Sequence, residues 1–221
     1  MRELLSGLGY IHQARDRGRR RVRGLVHRDV SPRNVLLSWE GEVKLADFGV
    51  AQVLQRTMTA AVDMVAGTPG YMSPEQVNRQ ELDGRSDLYA VGVVLWELLT
   101  RRRLRESADG MPANAVFQTI LRPSQHRQKV PVDLEAVAMR LLAYDREQRY
   151  RTAELASHDL MHCRDVPRDG RGDFVRLLDE RFPPARRQRP SSRPPSLGTP
   201  SEGACPPTAA SECTPTAPSE F

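Results

Sequence analysis

Apolar residues recur at helical spacing where the chain opens: Leu4, Leu5, Leu8 and Ile11 predict an amphipathic helix over residues 3–12. An arginine-dense segment without periodicity follows. Two short β-type pieces come next, Val35 to Ser38 and Glu42 to Ala46, and the intervening Trp39-Glu40-Gly41 predicts a small hairpin. An irregular stretch then runs to about Met72. From Ser86 to Thr100 the sequence SDLYAVGVVLWELLT is apolar on nearly every side, as expected of a helix at the centre of a domain. Leu134, Val137, Ala138, Leu141 and Leu142 predict a further amphipathic helix, and Arg151 to Met161 another. The pattern is that of a mainly α fold with one short β-hairpin, an α+β class, with no internal repeat.

The pattern ends near Phe182, beyond which Pro, Ser, Thr and Ala dominate and apolar side chains nearly vanish. Such a composition buries too little surface to offset the entropy of ordering. The expected organisation is therefore one folded domain over 1–165, a helical extension over 166–182 and a disordered Pro/Ser/Thr-rich tail over 183–221. Across the 221 residues, 39% are hydrophobic and 28% charged, the balance of a water-soluble globular protein. No run approaches the roughly 18 apolar residues needed to span a bilayer, and the first residues lack the basic-then-apolar build of a signal peptide. A cytoplasmic protein without a membrane segment is the expectation. Cys163, Cys205 and Cys213 are too scattered for a metal cage or disulfide framework and read as reduced thiols. The formal charge of +5 is concentrated between Arg15 and Arg23, where six arginines face one aspartate. Without interleaved aromatic residues the run reads as a solvated loop rather than a nucleic-acid site.

Three segments carry chemistry: HRDVSPRNVLL from His27 to Leu37, DFG at Asp47, Phe48 and Gly49, and GTPGYMSPE from Gly67 to Glu75. One tripeptide alone recurs by chance. Three segments in this order, with a hairpin between the first two and a buried helix after the third, form a specific signature. The chain resembles the protein kinase family over about residues 1–160, matching its catalytic loop, metal-binding segment and the end of its activation loop.

The resemblance implies a kinase-like fold, ATP and Mg²⁺ as cofactors and a protein as substrate. It implies that Asp29 accepts or orients the proton of the substrate hydroxyl, while Asn34 and Asp47 hold Mg²⁺ against the nucleotide phosphates. Taken singly, these residues would read as a turn aspartate, a capping asparagine and a strand-end aspartate. Arg28 would pair with a phosphorylated activation-loop residue, for which Thr57 and Thr59 are the candidates unless they are ordinary exposed threonines. Thr68 matches the threonine that Ser/Thr kinases place beside the catalytic aspartate. Glu75 and Arg149 resemble the family's buried ion pair, whose breakage would cost roughly 3–5 kcal/mol. Asp87 resembles the aspartate that anchors the catalytic-loop backbone; otherwise it is a helix N-terminal acid favoured by the dipole.

Two departures from the family pattern stand out. Ser31 occupies the place of the lysine that usually contacts the γ-phosphate in Ser/Thr kinases. The resemblance offers Arg33 as a replacement for that charge, since many tyrosine kinases carry an arginine there, or Ser31 as a variant found in some bacterial kinases. In addition, the 26 residues before His27 contain no Gly-rich loop, strand lysine or paired glutamate. The resemblance thus implies a C-terminal lobe that begins within a helix, lacks the N-terminal lobe and has negligible activity alone. Completed by that lobe, it would transfer the γ-phosphate of ATP to Ser or Thr of proteins. The alternative is a catalytically silent, pseudokinase-like binding module or scaffold that engages another kinase or kinase lobe.

Overall fold

The structure, a computed structural model, describes residues 1–14, 25–47, 67–105, 117, 120–167 and 170–183. The arginine run Arg15 to Arg23, Phe48, Gly49, Thr57, Thr59, Cys205, Cys213 and the tail from residue 184 lie outside the described residues.

Helix α1 spans Arg2–Gln13 and turns Leu4, Leu5, Leu8 and Ile11 inward, the stripe expected from their spacing. A short 3-10 turn, Pro32–Asn34, leads into the hairpin of β1 (Val35–Leu37) and β2 (Val43–Leu45). The strands are antiparallel, with Val35 opposite Leu45 and Leu37 opposite Val43. At the turn they each stop one residue short of the expected bounds because Ser38 and Glu42 close it: Ser38 N–H donates to Glu42 O at 2.9 Å, and Glu42 N–H to Ser38 Oγ at 3.2 Å; β2 also ends one residue early, at Leu45. Glu3 ties the hairpin to α1, its Oε2 accepting from Val43 N–H at 2.7 Å.

A second 3-10 turn, Pro69–Tyr71, precedes α2 (Pro74–Val77), and the central helix α3 runs over Gly84–Thr100. Asp83 caps α3 by accepting from Arg85 N–H, and every residue from Ser86 to Trp96 is buried. In the last turn Leu98 is exposed, while Thr100 at the helix end is buried again. Around α3 pack α1, α4 (Pro123–His126) and α5 (Val132–Leu141), while α6 (Ala153–Met161) lies against α5 and α1. Helix α6 starts at Ala153 because the Thr152 hydroxyl caps it, accepting from Leu155 N–H at 3.3 Å. Gly92 sets the approach of α5 to α3: a Cβ there would lie 2.7 Å from Leu141 Cβ and 3.2 Å from its carbonyl carbon.

Helix α7 (Gly170–Arg181) falls within the segment expected to form a helical extension, yet buries no residue completely. It meets the hairpin turn instead, with Arg171 Nε donating to Glu40 O at 2.8 Å and Phe182 edge-on to Trp39 at 5.9 Å. The described elements thus give a helix-rich fold with a two-stranded sheet, whose core is centred on α3.

Candidate active site

The segment His27 to Asn34 enters the site from the core. His27 is fully buried, and its Nδ1 accepts from Asp29 N–H at 3.3 Å. That leaves Nε2 as the protonated ring nitrogen, which donates to Ala46 O at 3.1 Å. The imidazole thereby joins the loop to the end of β2. Arg28 adopts a left-handed backbone, φ 71°. Asp87, near the start of α3, holds that conformation: Oδ2 accepts from His27 N–H and Oδ1 from Arg28 N–H, both at 2.8 Å. Its Oδ2 also lies 2.7 Å from His12 Nε2 on α1. One buried carboxylate therefore gathers α1, α3 and the loop.

Asp29 follows on this anchored backbone. Its Oδ1 accepts from both Thr68 N–H and Thr68 Oγ1–H at 2.8 Å, and its Oδ2 from Asn34 Nδ2 at 3.0 Å. Asn34 also donates Nδ2 to Asp29 O at 2.7 Å, leaving its Oδ1 without a partner among the described residues. Three bonds fix the orientation of the Asp29 carboxylate, with donors from two separate segments. Gly67 makes the approach of the second segment possible. Its φ is +125°, and a Cβ would come 3.0 Å from Arg28 O.

Asp47 stands exposed at the end of β2 with a left-handed φ of 54°. The preceding Ala46 is held on both sides, its N–H donating to Asn34 O at 2.8 Å and its carbonyl accepting from His27. Asp47 thus follows a residue bonded directly to the catalytic-loop segment. The free Asn34 Oδ1 and the Asp47 carboxylate are both hard oxygen donors, the set Mg²⁺ prefers when it completes its shell with water and phosphate. No group of three or more His, Cys, Asp or Glu side chains suited to a metal occurs among the described residues. The oxygen chemistry fits Mg²⁺ shared with a phosphate ligand better than an all-protein cage.

Ser31 is fully buried, and its Oγ has no hydrogen-bond partner among the described residues. Arg33 is exposed and lines a cleft with Thr68, Tyr71, Glu97, Arg103 and Arg105. The Tyr71 hydroxyl is pushed up to about 12 by burial and by its hydrogen bond to the Glu97 carboxylate, so it remains a donor at neutral pH. The half-buried Arg28 side chain has no partner among the described residues.

Glu75 and Arg149 meet in a buried bidentate pair, Nη1 to Oε1 at 2.7 Å and Nη2 to Oε2 at 2.9 Å. Arg149 also donates Nε to Ala143 O at 2.8 Å, Nη1 to Arg85 O at 3.0 Å and Nη2 to Tyr144 O at 3.0 Å. Ser86 Oγ donates to Glu75 Oε1 at 2.7 Å. Burial pushes the Glu75 carboxyl up, but Arg149's hydrogen bonds and charge outweigh it, and the carboxyl lies below its ordinary value.

Of the residues singled out in the sequence, Asp29, Asn34, Thr68 and Asp87 come together through direct contacts or through the loop backbone, and Glu75 joins Arg149 elsewhere. Gln76 escaped notice: its Nε2 donates to Arg28 O at 2.8 Å while Ser73 and Gln76 cap α2 reciprocally. The Ser73-x-x-Gln76 spacing is a capping-box signal and pointed to it. His12 carried no such signal.

Residues 1–161 match the sequence profile of the family described as the protein kinase domain, and the chain belongs to that family. Its similarity is to bacterial members. It is 37% identical over 150 residues to the tyrosine-protein kinase MasK of Myxococcus xanthus, covering 67% of this chain and 23% of that protein. It is 38% identical over 141 residues to the serine/threonine-protein kinase PknB of Mycobacterium leprae, covering 62% and 23%. It is 35% identical over 169 residues to the probable serine/threonine-protein kinase SCO3848 of Streptomyces coelicolor, covering 73% and 23%. The chain spans about a quarter of the length of these curated relatives. Protein kinases use ATP and Mg²⁺ and act on protein substrates. Among the described residues, no helix is long and apolar enough to cross a membrane.

Proposed function

We propose that residues 1–165 form the C-terminal catalytic lobe of a Ser/Thr protein kinase, with a helical extension over 166–182 and a disordered tail over 183–221. The observation that carries this reading is the Asp29 carboxylate, held by Thr68 and Asn34 on a loop that Asp87 anchors. The serine/threonine-kinase relatives and the GTPGYMSPE segment support Ser or Thr as the acceptor. When bound, MgATP supplies the transferable γ-phosphoryl group and neutralises phosphate charge. Asn34 Oδ1 and the Asp47 carboxylate would hold the metal.

In this reading Asp29 Oδ2 orients the acceptor hydroxyl and takes its proton as the oxygen bonds to the γ-phosphorus and the bond to ADP breaks. Thr68 keeps Oδ1 occupied, so the carboxylate presents one edge to the acceptor. Arg33 shares a cleft with Thr68, and we assign it to the acceptor side rather than to the place of the missing phosphate-binding lysine. Arg28 is the partner for a phosphate on Thr57 or Thr59. A Gly-rich loop, strand lysine and helix glutamate do not occur in these 221 residues, so the chain needs an N-terminal lobe for transfer. The second reading, a silent binding module for another kinase or kinase lobe, is favoured by the buried Ser31 in place of the lysine.

The test compares the chain alone with the chain fused behind the N-terminal lobe of an active bacterial Ser/Thr kinase, assaying Mg²⁺-dependent phosphorylation from ATP. Transfer is expected in the fusion, negligible in the chain alone, and reduced about 10²–10⁴-fold by Asp29→Ala. A folded fusion that binds no nucleotide and transfers no phosphate would leave the binding-module reading.

A further inference from the structure

Thr68 faces two ways. It holds Asp29 Oδ1 and also lines the cleft of about 250 Å³ into which Arg33 opens. A protein segment presenting its hydroxyl to Asp29 therefore lays neighbouring residues over this cleft. Three arginines line it, Arg33 from the catalytic loop and Arg103 and Arg105 from beyond α3, against the single carboxylate of Glu97.

That carboxylate is already occupied. Glu97 Oε2 accepts from Tyr71 OH at 2.8 Å and from Arg103 Nη1 at 3.1 Å, and Oε1 accepts from Leu104 N–H at 3.2 Å. Arg105 is fixed by neutral partners, donating to Pro69 O at 3.2 Å and to Met72 O and Tyr89 OH at 3.0 Å, with its guanidinium 4.3 Å from the Phe117 ring. None of these removes its charge. Arg33 has no partner among the described residues, and the exposed Arg101 and Arg102 immediately precede Arg103 in the chain. Among the described residues that line it, the cleft carries a positive charge that its own side chains leave uncompensated.

We infer that this cleft selects protein segments with acidic residues flanking the acceptor hydroxyl, and that Arg33 is the specificity-determining contact for those residues. The inference rests on the kinase reading above, because that reading places the acceptor at Asp29. A nucleic-acid strand fits less well, since its continuous phosphates would run past the Asp29 carboxylate. An acidic peptide instead brings a neutral hydroxyl to Asp29 and carries its charge at the side-chain tips.

The first arm of the test titrates the 221-residue chain into labelled peptides at low ionic strength, followed by fluorescence anisotropy. One peptide has glutamates on both sides of a central threonine; the others replace them by alanines or lysines. The glutamate peptide is expected to bind about five- to tenfold tighter than the alanine peptide, a preference that added salt weakens. Arg33→Glu should abolish the preference and Arg33→Lys retain most of it. Equal binding of the glutamate and alanine peptides, or a preference unchanged by Arg33→Glu, overturns the inference. So does an oligonucleotide that binds tighter than the glutamate peptide in an Arg33-dependent way.

The second arm measures phosphate transfer to the same peptides by the lobe-completed protein. Faster transfer to the glutamate peptide, lost in Arg33→Glu, supports the inference. Equal transfer to glutamate and alanine peptides overturns it and leaves the kinase reading standing. Transfer to neither, with the binding preference intact, defeats the kinase reading while the acidic-peptide cleft survives.

Discussion

Replacing Arg149 by Met is expected to destabilise the domain severely, although the residue lies apart from the Asp29 site. The Arg149 guanidinium makes five hydrogen bonds, two to Glu75 and one each to the carbonyls of Ala143, Arg85 and Tyr144. Its removal strands the Glu75 carboxylate, only 3% exposed, at a cost of about 3–5 kcal/mol. The three carbonyls lose donors as well, so the upper end of that range is expected. A domain is stable by about 5–15 kcal/mol in all, which makes the loss a large fraction of the total. Glu75→Gln keeps the shape and removes the charge, and should cost less, about 1–3 kcal/mol. In the Glu75→Leu, Arg149→Met double variant no charge is stranded, so its cost should fall below the sum of the single costs by about 1–3 kcal/mol.

Urea unfolding followed by far-UV circular dichroism measures all of these. A loss below about 1 kcal/mol for Arg149→Met would refute the reasoning, since it would mean that water or another cation reaches Glu75. The pH dependence gives a second reading of the same pair. Glu75 is held below its ordinary 4.5 in the folded state, so the pair's contribution is complete above that value and is lost as pH falls through the depressed folded value. Glu75→Gln should therefore flatten the acid limb of stability against pH.

Asp87→Asn replaces one accepting oxygen by a donor, so at least one of the His27 and Arg28 amides loses its acceptor. A loss of about 1–3 kcal/mol and faster native-state hydrogen exchange at those amides are expected, and unchanged exchange would count against the anchor. Thr68→Ala removes one of two bonds to Asp29 Oδ1 and should slow transfer by the lobe-completed protein about tenfold, with Thr68→Ser restoring most of it. Equal rates in the Ala and Ser variants would deny the hydroxyl that role. Gly92→Ala improves helix propensity by about 1 kcal/mol, yet its Cβ would sit 2.7 Å from Leu141 Cβ, and overpacking of about 1–3 kcal/mol should win. A raised melting temperature would show that α5 yields freely.

The differences between sequence expectation and structure follow the range over which each interaction acts. The inward stripe of α1 and the buried length of α3 were legible because apolar spacing along a helix is local information. The turn-side ends of β1 and β2 shifted because Ser38 and Glu42 bond to each other across the turn. Side-chain partners distant in sequence were legible only through the family resemblance, as for Glu75 with Arg149 and Thr68 with Asp29. Neither the His12 contact with Asp87 nor the stacking of Arg105 on Phe117 follows from any spacing, since each depends on how helices and loops pack. The same applies to Arg33, whose identity was plain but whose cleft formed only when the segments around Tyr71 and Arg103 came beside it.

Arg28 shows why this matters at the active site. A bulky residue with a left-handed backbone costs about 1–2 kcal/mol, and nothing in HRDVSPRN offsets that locally. The offset comes from α3, where Asp87 accepts the Arg28 N–H, and from α2, where Gln76 donates to its carbonyl. Gly67 leaves the room that this carbonyl needs. The direction of the Asp29 carboxylate is thus imposed by the core and by the segment from Gly67 to Gln76, more than by the loop that carries it. A change at Gln76 or Gly67 should therefore disturb Asp29 as surely as a change in the loop itself, although neither residue touches its carboxylate.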